Sequence, residues 1–79
     1  MYYVYILKSL NFPNQQYVGY TTDIKKRLIK HNNGKVPHSS KFKPWKIQTC
    51  IVFSDKQKAI NFEKYLKSGS GTAFRNKRF

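Results

Sequence analysis

Two Tyr/Val/Ile-rich runs, separated by turn chemistry, open the chain and set the terms for the rest of it. Residues 2–8 alternate weakly in polarity and are rich in Tyr, Val and Ile, which reads as a strand. Asn11, Pro13 and Asn14 then supply a turn, and Tyr17-Val18-Gly19-Tyr20 reads as a second short strand that pairs with the first as a hairpin. Gly19 inside a strand pattern predicts a bulge or a close approach of the backbone to another group. With 79 residues there is room for one small domain, whose core is marginal because short chains bury a small share of their surface.

The remaining elements follow in order. Thr22 reads as a helix N-cap, with Asp23 complementing the positive end of the dipole. Ile24, Leu28 and Ile29 supply its apolar positions, and Asn32-Asn33-Gly34 ends it with a C-cap signal. Residues 33–44 read as a basic loop with Pro37 and Pro44. Ile47, Thr49, Ile51 and Phe53 recur with a period of two inside Trp45–Phe53, a third strand. Ser54-Asp55-Lys56-Gln57 fits a capping box, with Ser54 as N-cap and Gln57 at N3, and opens a helix to about Lys67. Ser68-Gly69-Ser70-Gly71 stops that helix, Thr72 caps a last short turn, and Arg75 to Phe79 is a basic tail. The expected fold class is α+β: a small three-stranded antiparallel sheet flanked by helices, in the order β-β-α-β-α-(α), as a single domain over residues 1–79.

Charge then narrows the function. Sixteen Lys and Arg against three Asp and Glu leave a formal net charge of +13, and the usual relief for such self-repulsion is a polyanion. Basic residues interleaved with six Tyr, six Phe and one Trp favour nucleic acid over a membrane surface. The same aromatics, within 39% hydrophobic content, argue against disorder. Cys50 stands alone, which excludes a disulfide framework and a Cys-rich zinc module and points to a reduced, intracellular chain. No apolar run approaches the ~20 residues of a membrane span. The N-terminus is apolar too briefly for a signal peptide and lacks a basic n-region. The expected location is cytoplasmic and nucleoid-associated.

The scarcity of acids makes each one a locator. Asp23 and Asp55 sit at predicted helix starts, where the macrodipole accounts for them. Glu63 falls mid-helix, inside the apolar stripe of Ala59, Ile60, Phe62 and Leu66. A carboxylate there is costly unless paired or bound to a cation. It is either a buried salt bridge to one of the cations, a residue at the edge of the stripe, or a single-carboxylate ligand for Mg²⁺ or Mn²⁺. Arg27 and His31, spaced i, i+4, share a face next to Ile24 and Leu28. Either they lie on a solvated helix face with Lys25, Lys26 and Lys30, or Arg27 forks onto a phosphate and His31 moves a proton. His38, in a loop, reads as surface. Nothing in periodicity separates Tyr5 and Tyr17 from Tyr2, Tyr3 and Tyr20.

Taken in order, Tyr3-Val4-Tyr5, then Tyr17-Val18-Gly19, then Arg27 with His31 four residues on, then Glu63, resemble the GIY-YIG nuclease domain. The stretch from Tyr17 to Leu28 is the most specific part and is similar to the same region in excision-repair incision nucleases and small single-domain relatives. Leu66 to Phe74 resembles the end of standalone bacterial members. The resemblance implies a divalent-metal-dependent endonuclease acting on DNA, with RNA as a further candidate substrate, in repair or processing. It implies that Glu63 binds a single Mg²⁺ or Mn²⁺ ion and that Arg27 contacts the scissile phosphate. Tyr5 and Tyr17 would line the site, one of them positioning or deprotonating the attacking water, and His31 would stand near the nucleophile. A Tyr can act as that base if nearby cations lower its pKa. Two departures stand out: Tyr3 replaces the first motif's glycine, and the late Asn of many members has no match, Asn61 being one turn too early. The alternative is a catalytically weak nucleic-acid-binding module with the same fold. In either case Lys26, Lys30, Lys35, Lys41, Lys43, Arg75, Lys77 and Arg78 are the expected contacts to nucleic acid. Phosphate contacts give nonspecific or structure-selective binding that weakens with salt, by about 0.9 log units per log unit of salt for each phosphate neutralised.

Overall fold

In a computed structural model that describes residues 1–79, the hairpin is present as β1 (Tyr2–Ser9) and β2 (Gln16–Thr21). They pair antiparallel with Tyr5 opposite Gly19 and Leu7 opposite Tyr17. Helix α1 (Ile24–Asn32), the short α2 (Pro37–Ser40), β3 (Trp45–Phe53), α3 (Lys56–Lys67) and α4 (Gly69–Arg78) follow. β3 pairs antiparallel with β1, so the three-stranded sheet has the order β2-β1-β3 and β1 is central. The fold is α+β in the expected element order.

The sheet is covered on both faces. On one face Val4, Ile6 and Val18 pack with Ala59 and Leu66 of α3, joined by Phe62 and by Phe74 of α4. On the other face Tyr5, Leu7 and Trp45 pack with Tyr17, Phe42, and Ile24 and Leu28 of α1. Consecutive residues Val4 to Leu7 are therefore all buried, whichever way they point. Both-sided burial is the reason the alternation of β1 in the sequence is weak.

Several sequence expectations are corrected. Asp23, rather than Thr22, caps α1 by accepting from Lys26 N–H at 3.1 Å, and Asp55, rather than Ser54, caps α3 by accepting from Lys58 N–H at 2.9 Å. Both acids thus satisfy free backbone donors directly, a stronger tie than dipole compensation alone. Gln57 makes no capping box and donates to Asn61 at 2.9 Å. The loop 33–44 contains α2, with Pro37 in its first turn. The period of two in β3 breaks, because the register shifts between Ile6 and Leu7. Thr49, Ile51 and Phe53 oppose Ile6, Val4 and Tyr2 on one face, while Ile47 opposes Leu7 on the other.

The C-terminal segment is a helix of ten residues rather than a short turn and a basic tail. Ser68 makes the corner: its Oγ accepts from Gly71 N–H at 3.1 Å and donates to the Tyr65 carbonyl at 2.6 Å. α4 packs so closely on α3 that a Cβ at Gly71 would lie 1.7 Å from the Tyr65 carbonyl oxygen. That oxygen is backbone and cannot step aside. Gly71→Ala is expected to lose about 3 kcal/mol of stability in denaturant unfolding. A loss below about 0.5 kcal/mol, the scale of an ordinary surface change, would contradict this packing.

Candidate active site

α1 carries its two polar site residues on the core-facing side. Ile24, Leu28 and His31 are spaced i, i+4, i+7, and Arg27 lies beside them on the same stripe. His31 is 0% exposed, which rules out the solvated-face reading. Tyr5, 1% exposed on the central strand, meets them there. Its hydroxyl lies 3.0 Å from His31 Nε2 and accepts from Arg27 Nε–H at 3.3 Å. His31 Nδ1 lies 2.6 Å from Ser39 Oγ, on α2. Trp45 fixes α2 and the end of α1: its Nε1–H donates to the Ser39 carbonyl at 2.9 Å, and Asn32 pairs with its backbone N–H and carbonyl at 2.6 and 3.1 Å.

Gly19 makes this meeting possible. It sits opposite Tyr5 across the hairpin, and a Cβ built on it would lie 2.2 Å from the Tyr5 hydroxyl oxygen. The Tyr5 side chain lies flat over the glycine backbone. The close approach expected from the sequence is to Tyr5.

Tyr17, diagonal to Tyr5 on the same face, closes the cluster. Its ring centroid is 4.5 Å from that of His31 in a T-shaped contact and 6.4 Å from that of Tyr5. Tyr17 is half-buried, on the outer strand β2, so its edge of the cluster meets solvent. α3 covers the opposite face, yet reaches round this edge: Lys67 Nζ lies 5.9 Å from the Tyr17 ring centroid and 2.5 Å from Glu63 Oε2. Glu63 is thus ion-paired to Lys67, its i+4 neighbour, rather than to Arg27. Its side chain is 18% exposed and that of Lys67 50%, so the pair sits at the rim of the cluster. Glu63 is close enough for its charge to act on Tyr5.

Protonation states follow from these surroundings. Burial pushes the Tyr5 hydroxyl pKa up, against the opposing effect of Arg27. The expectation that cations lower it is therefore wrong for Tyr5, whose desolvation outweighs the single adjacent guanidinium. Burial, aided by the Arg27 charge, lowers the His31 pKa to about 4, so its imidazole is neutral at pH 7. An unfolded His titrates near 6.5. Between pH 6.5 and about 4 the unfolded chain holds a proton that the folded chain does not. Stability is expected to fall as pH drops through that window, by up to about 3 kcal/mol from this residue, with no contribution above it. Denaturant midpoints at pH 7.5 and 5.0 measure this, and His31→Gln should flatten the slope. An unchanged slope would contradict it.

No three His, Cys, Asp or Glu side chains cluster to form a closed metal cage. Glu63 is the one carboxylate at the cluster. A single carboxylate suits a hard ion such as Mg²⁺ or Mn²⁺, which keeps several waters and takes further oxygens from a substrate phosphate. The donor set fits that ion.

The eight basic residues expected at nucleic acid separate. Lys26, Lys30, Lys35, Lys41 and Lys43 are exposed on or between α1 and β3, on the side of the sheet that carries Tyr5 and His31. Lys77 and Arg78 are exposed on the last turn of α4, behind the sheet. Arg75 is committed within the fold, donating to the Leu66 carbonyl at 3.0 Å and Gln16 Oε1 at 2.8 Å. His38 is exposed, as expected. Asn61 is exposed on α3 beside Gln57, away from the cluster. Sequence reasoning missed Ser39 and Lys67. The i, i+4 spacing of Glu63 and Lys67 was a readable signal; nothing marked Ser39.

Comparison with known proteins places the chain in a family. Residues 1–78 match the GIY-YIG catalytic domain family. The chain is similar to UPF0213 protein YsiG of Lactococcus lactis, 37% identical over 67 residues that make up 84% of this chain and 62% of that one. The chain therefore spans somewhat less than two thirds of that relative's length. It is 36% identical over 70 residues to UPF0213 protein SSP2268 of Staphylococcus saprophyticus, covering 87% of this chain and 83% of the other. The solution structure of UPF0213 protein BH0048 of Bacillus halodurans superposes with a TM-score of 0.57 and 30% identity, covering 98% of this chain and 84% of that one. No helix is long and apolar enough to cross a membrane.

Proposed function

The chain belongs to the GIY-YIG catalytic domain family, a nuclease family, and from that premise we propose that it is an endonuclease hydrolysing DNA phosphodiester bonds with one divalent cation. The observation that carries this reading is the state of Arg27. Its Nε is held by the buried Tyr5 hydroxyl, which aims the guanidinium while its two terminal nitrogens make no bond within the chain. A fork fixed at its base and open at its tip suits a phosphate.

The other residues divide the remaining work. Tyr5 orients Arg27 and hands its own hydrogen bond to His31. Tyr17, at the solvent edge, would hold the attacking water. Glu63 would hold the cation, which would take the place of Lys67 as its ionic partner. Held there, a Mg²⁺ or Mn²⁺ ion would supply Lewis-acid charge to the phosphate oxygens. Lys26, Lys30, Lys35, Lys41 and Lys43 grip the backbone on the site's own face, giving affinity without sequence information.

The test is incubation of the protein with nicked, flapped and linear duplex DNA in Mg²⁺ or Mn²⁺, with a chelator control. Metal-dependent cleavage of at least one substrate supports the reading. Salt-sensitive binding without cleavage of any substrate would mean a nucleic-acid-binding module on this fold.

A further inference from the structure

The hydrogen bonds around His31 run in one direction only. Arg27 Nε–H can only donate, so Tyr5 Oη accepts from it, and the single Tyr5 hydroxyl proton is left to point at His31 Nε2, 3.0 Å away. At the far end the Val36 carbonyl can only accept, and Ser39 Oγ–H donates to it at 3.3 Å. The Ser39 lone pairs then face His31 Nδ1 at 2.6 Å, so Nδ1 carries the ring proton. The reverse arrangement, with the proton on Nε2, leaves the buried Tyr5 O–H without an acceptor, whereas the Val36 carbonyl keeps the Ser39 and Ser40 backbone N–H donors in either case. Such an orphaned group is costly in a site where Tyr5 is 1%, and His31 and Ser39 are 0%, exposed.

We infer that Ser39 is a positioning residue: its hydroxyl locks His31 as the Nδ1–H tautomer, so that the Nε2 lone pair accepts the Tyr5 O–H and Oη keeps a lone pair turned to Arg27 Nε–H. The catalytic half of this inference rests on the nuclease reading; the tautomer half does not.

Ser39→Ala isolates the hydroxyl, since the Trp45 Nε1–H bond goes to the Ser39 backbone carbonyl and survives the change. The ring tautomer is read from two-bond ¹⁵N–¹H correlations, which separate a protonated from an unprotonated ring nitrogen. The chain has two His, so His38→Gln assigns the spectrum. Wild type is expected to show His31 protonated at Nδ1 alone. Ser39→Ala is expected to give a mixture of tautomers, and Ser39→Thr, which keeps a hydroxyl, to restore the single form. DNA cleavage by Ser39→Ala should fall about 10- to 100-fold in kcat with KM little changed, the scale of one orphaned buried donor. A wild-type ring protonated at Nε2, or an unchanged Nδ1–H tautomer in Ser39→Ala, would overturn the inference. If wild type cleaves no DNA, the nuclease reading fails and the tautomer measurement still decides whether Ser39 locks the ring.

Discussion

Glu63→Gln is expected to reduce DNA cleavage about 10³-fold or more while leaving DNA binding intact. The amide keeps the volume and shape of the carboxylate, so the packing of α3 beside Ala59 and Leu66 is untouched. The ion pair with Lys67 is lost, but a pair whose cation is half-exposed to water is worth about 1 kcal/mol, and the fold survives. The loss falls on the chemistry. Glu63 is the one carboxylate at the cluster, and a neutral amide cannot hold a hard divalent ion against water. Removing a negative charge from the rim of a DNA-binding surface weakens nothing in the grip and slightly favours it. Mobility shift at fixed salt measures the binding, and cleavage rate in Mn²⁺ measures the chemistry. A variant that cleaves within a few-fold of wild type would show that Glu63 holds no catalytic ion and is simply the anionic half of an i, i+4 pair.

The second large effect is expected at Gly19. Gly19→Ala places a Cβ 2.2 Å from the Tyr5 hydroxyl oxygen and 2.4 Å from its Cζ, well inside contact distance. Tyr5 has nowhere to retreat, since His31 and Tyr17 pack around its ring and it is almost fully buried. The ring must tilt, and tilting breaks the bond from Arg27 and the bond to His31 together. Overpacking of this kind costs about 2–3 kcal/mol of stability. A misplacement of about 1 Å at the chemistry costs about 100-fold in rate. Cleavage measured well below the unfolding midpoint separates the two losses. Full activity in folded Gly19→Ala would contradict the role given to Tyr5.

The same glycine shows what the sequence could and could not disclose. That Gly19 lies close to another group was legible from a glycine in a strand pattern; that the group is Tyr5 needed the cross-strand register. The order of elements and the three strands were legible because each carries its own local signal. The faces of β3 were not, because a register shift in the pairing with β1 moves Ile47 away from Thr49 and Ile51. α4 reads as a short turn and a basic tail in the sequence because two Gly with Ser, Thr and Asn give it low helix propensity. Its stability comes from tertiary ties that local reading does not see: the Ser68 corner, the Gly71 contact, and Arg75 bonded to Leu66 and Gln16. Thr22-Asp23 and Ser54-Asp55 each offer two capping residues in succession, and propensity does not choose between them.

The candidate site was legible as a list of types and illegible as a division of labour. Tyr5, Tyr17, Arg27, His31 and Glu63 were named, but the burial that leaves His31 neutral and Tyr5 protonated is a property of the folded core. Ser39 carried no signal, since a serine in a four-residue helix has no periodicity to betray which way it points. Arg75 looked like a DNA contact because charge at a chain end usually is solvated; the fold uses it as a staple.

Whether cleavage belongs to this cluster or to positive charge in general is decided by one comparison. Arg27→Ala and Lys25→Ala remove the same charge from the same helix two residues apart, one inside the cluster and one exposed on the opposite side. On flapped and nicked duplex DNA in Mn²⁺, Arg27→Ala is expected to lose about 10²- to 10³-fold in cleavage rate at saturating protein, with Lys25→Ala close to wild type. Equal losses in the two variants, or none in Arg27→Ala, would contradict a nuclease site built around Arg27.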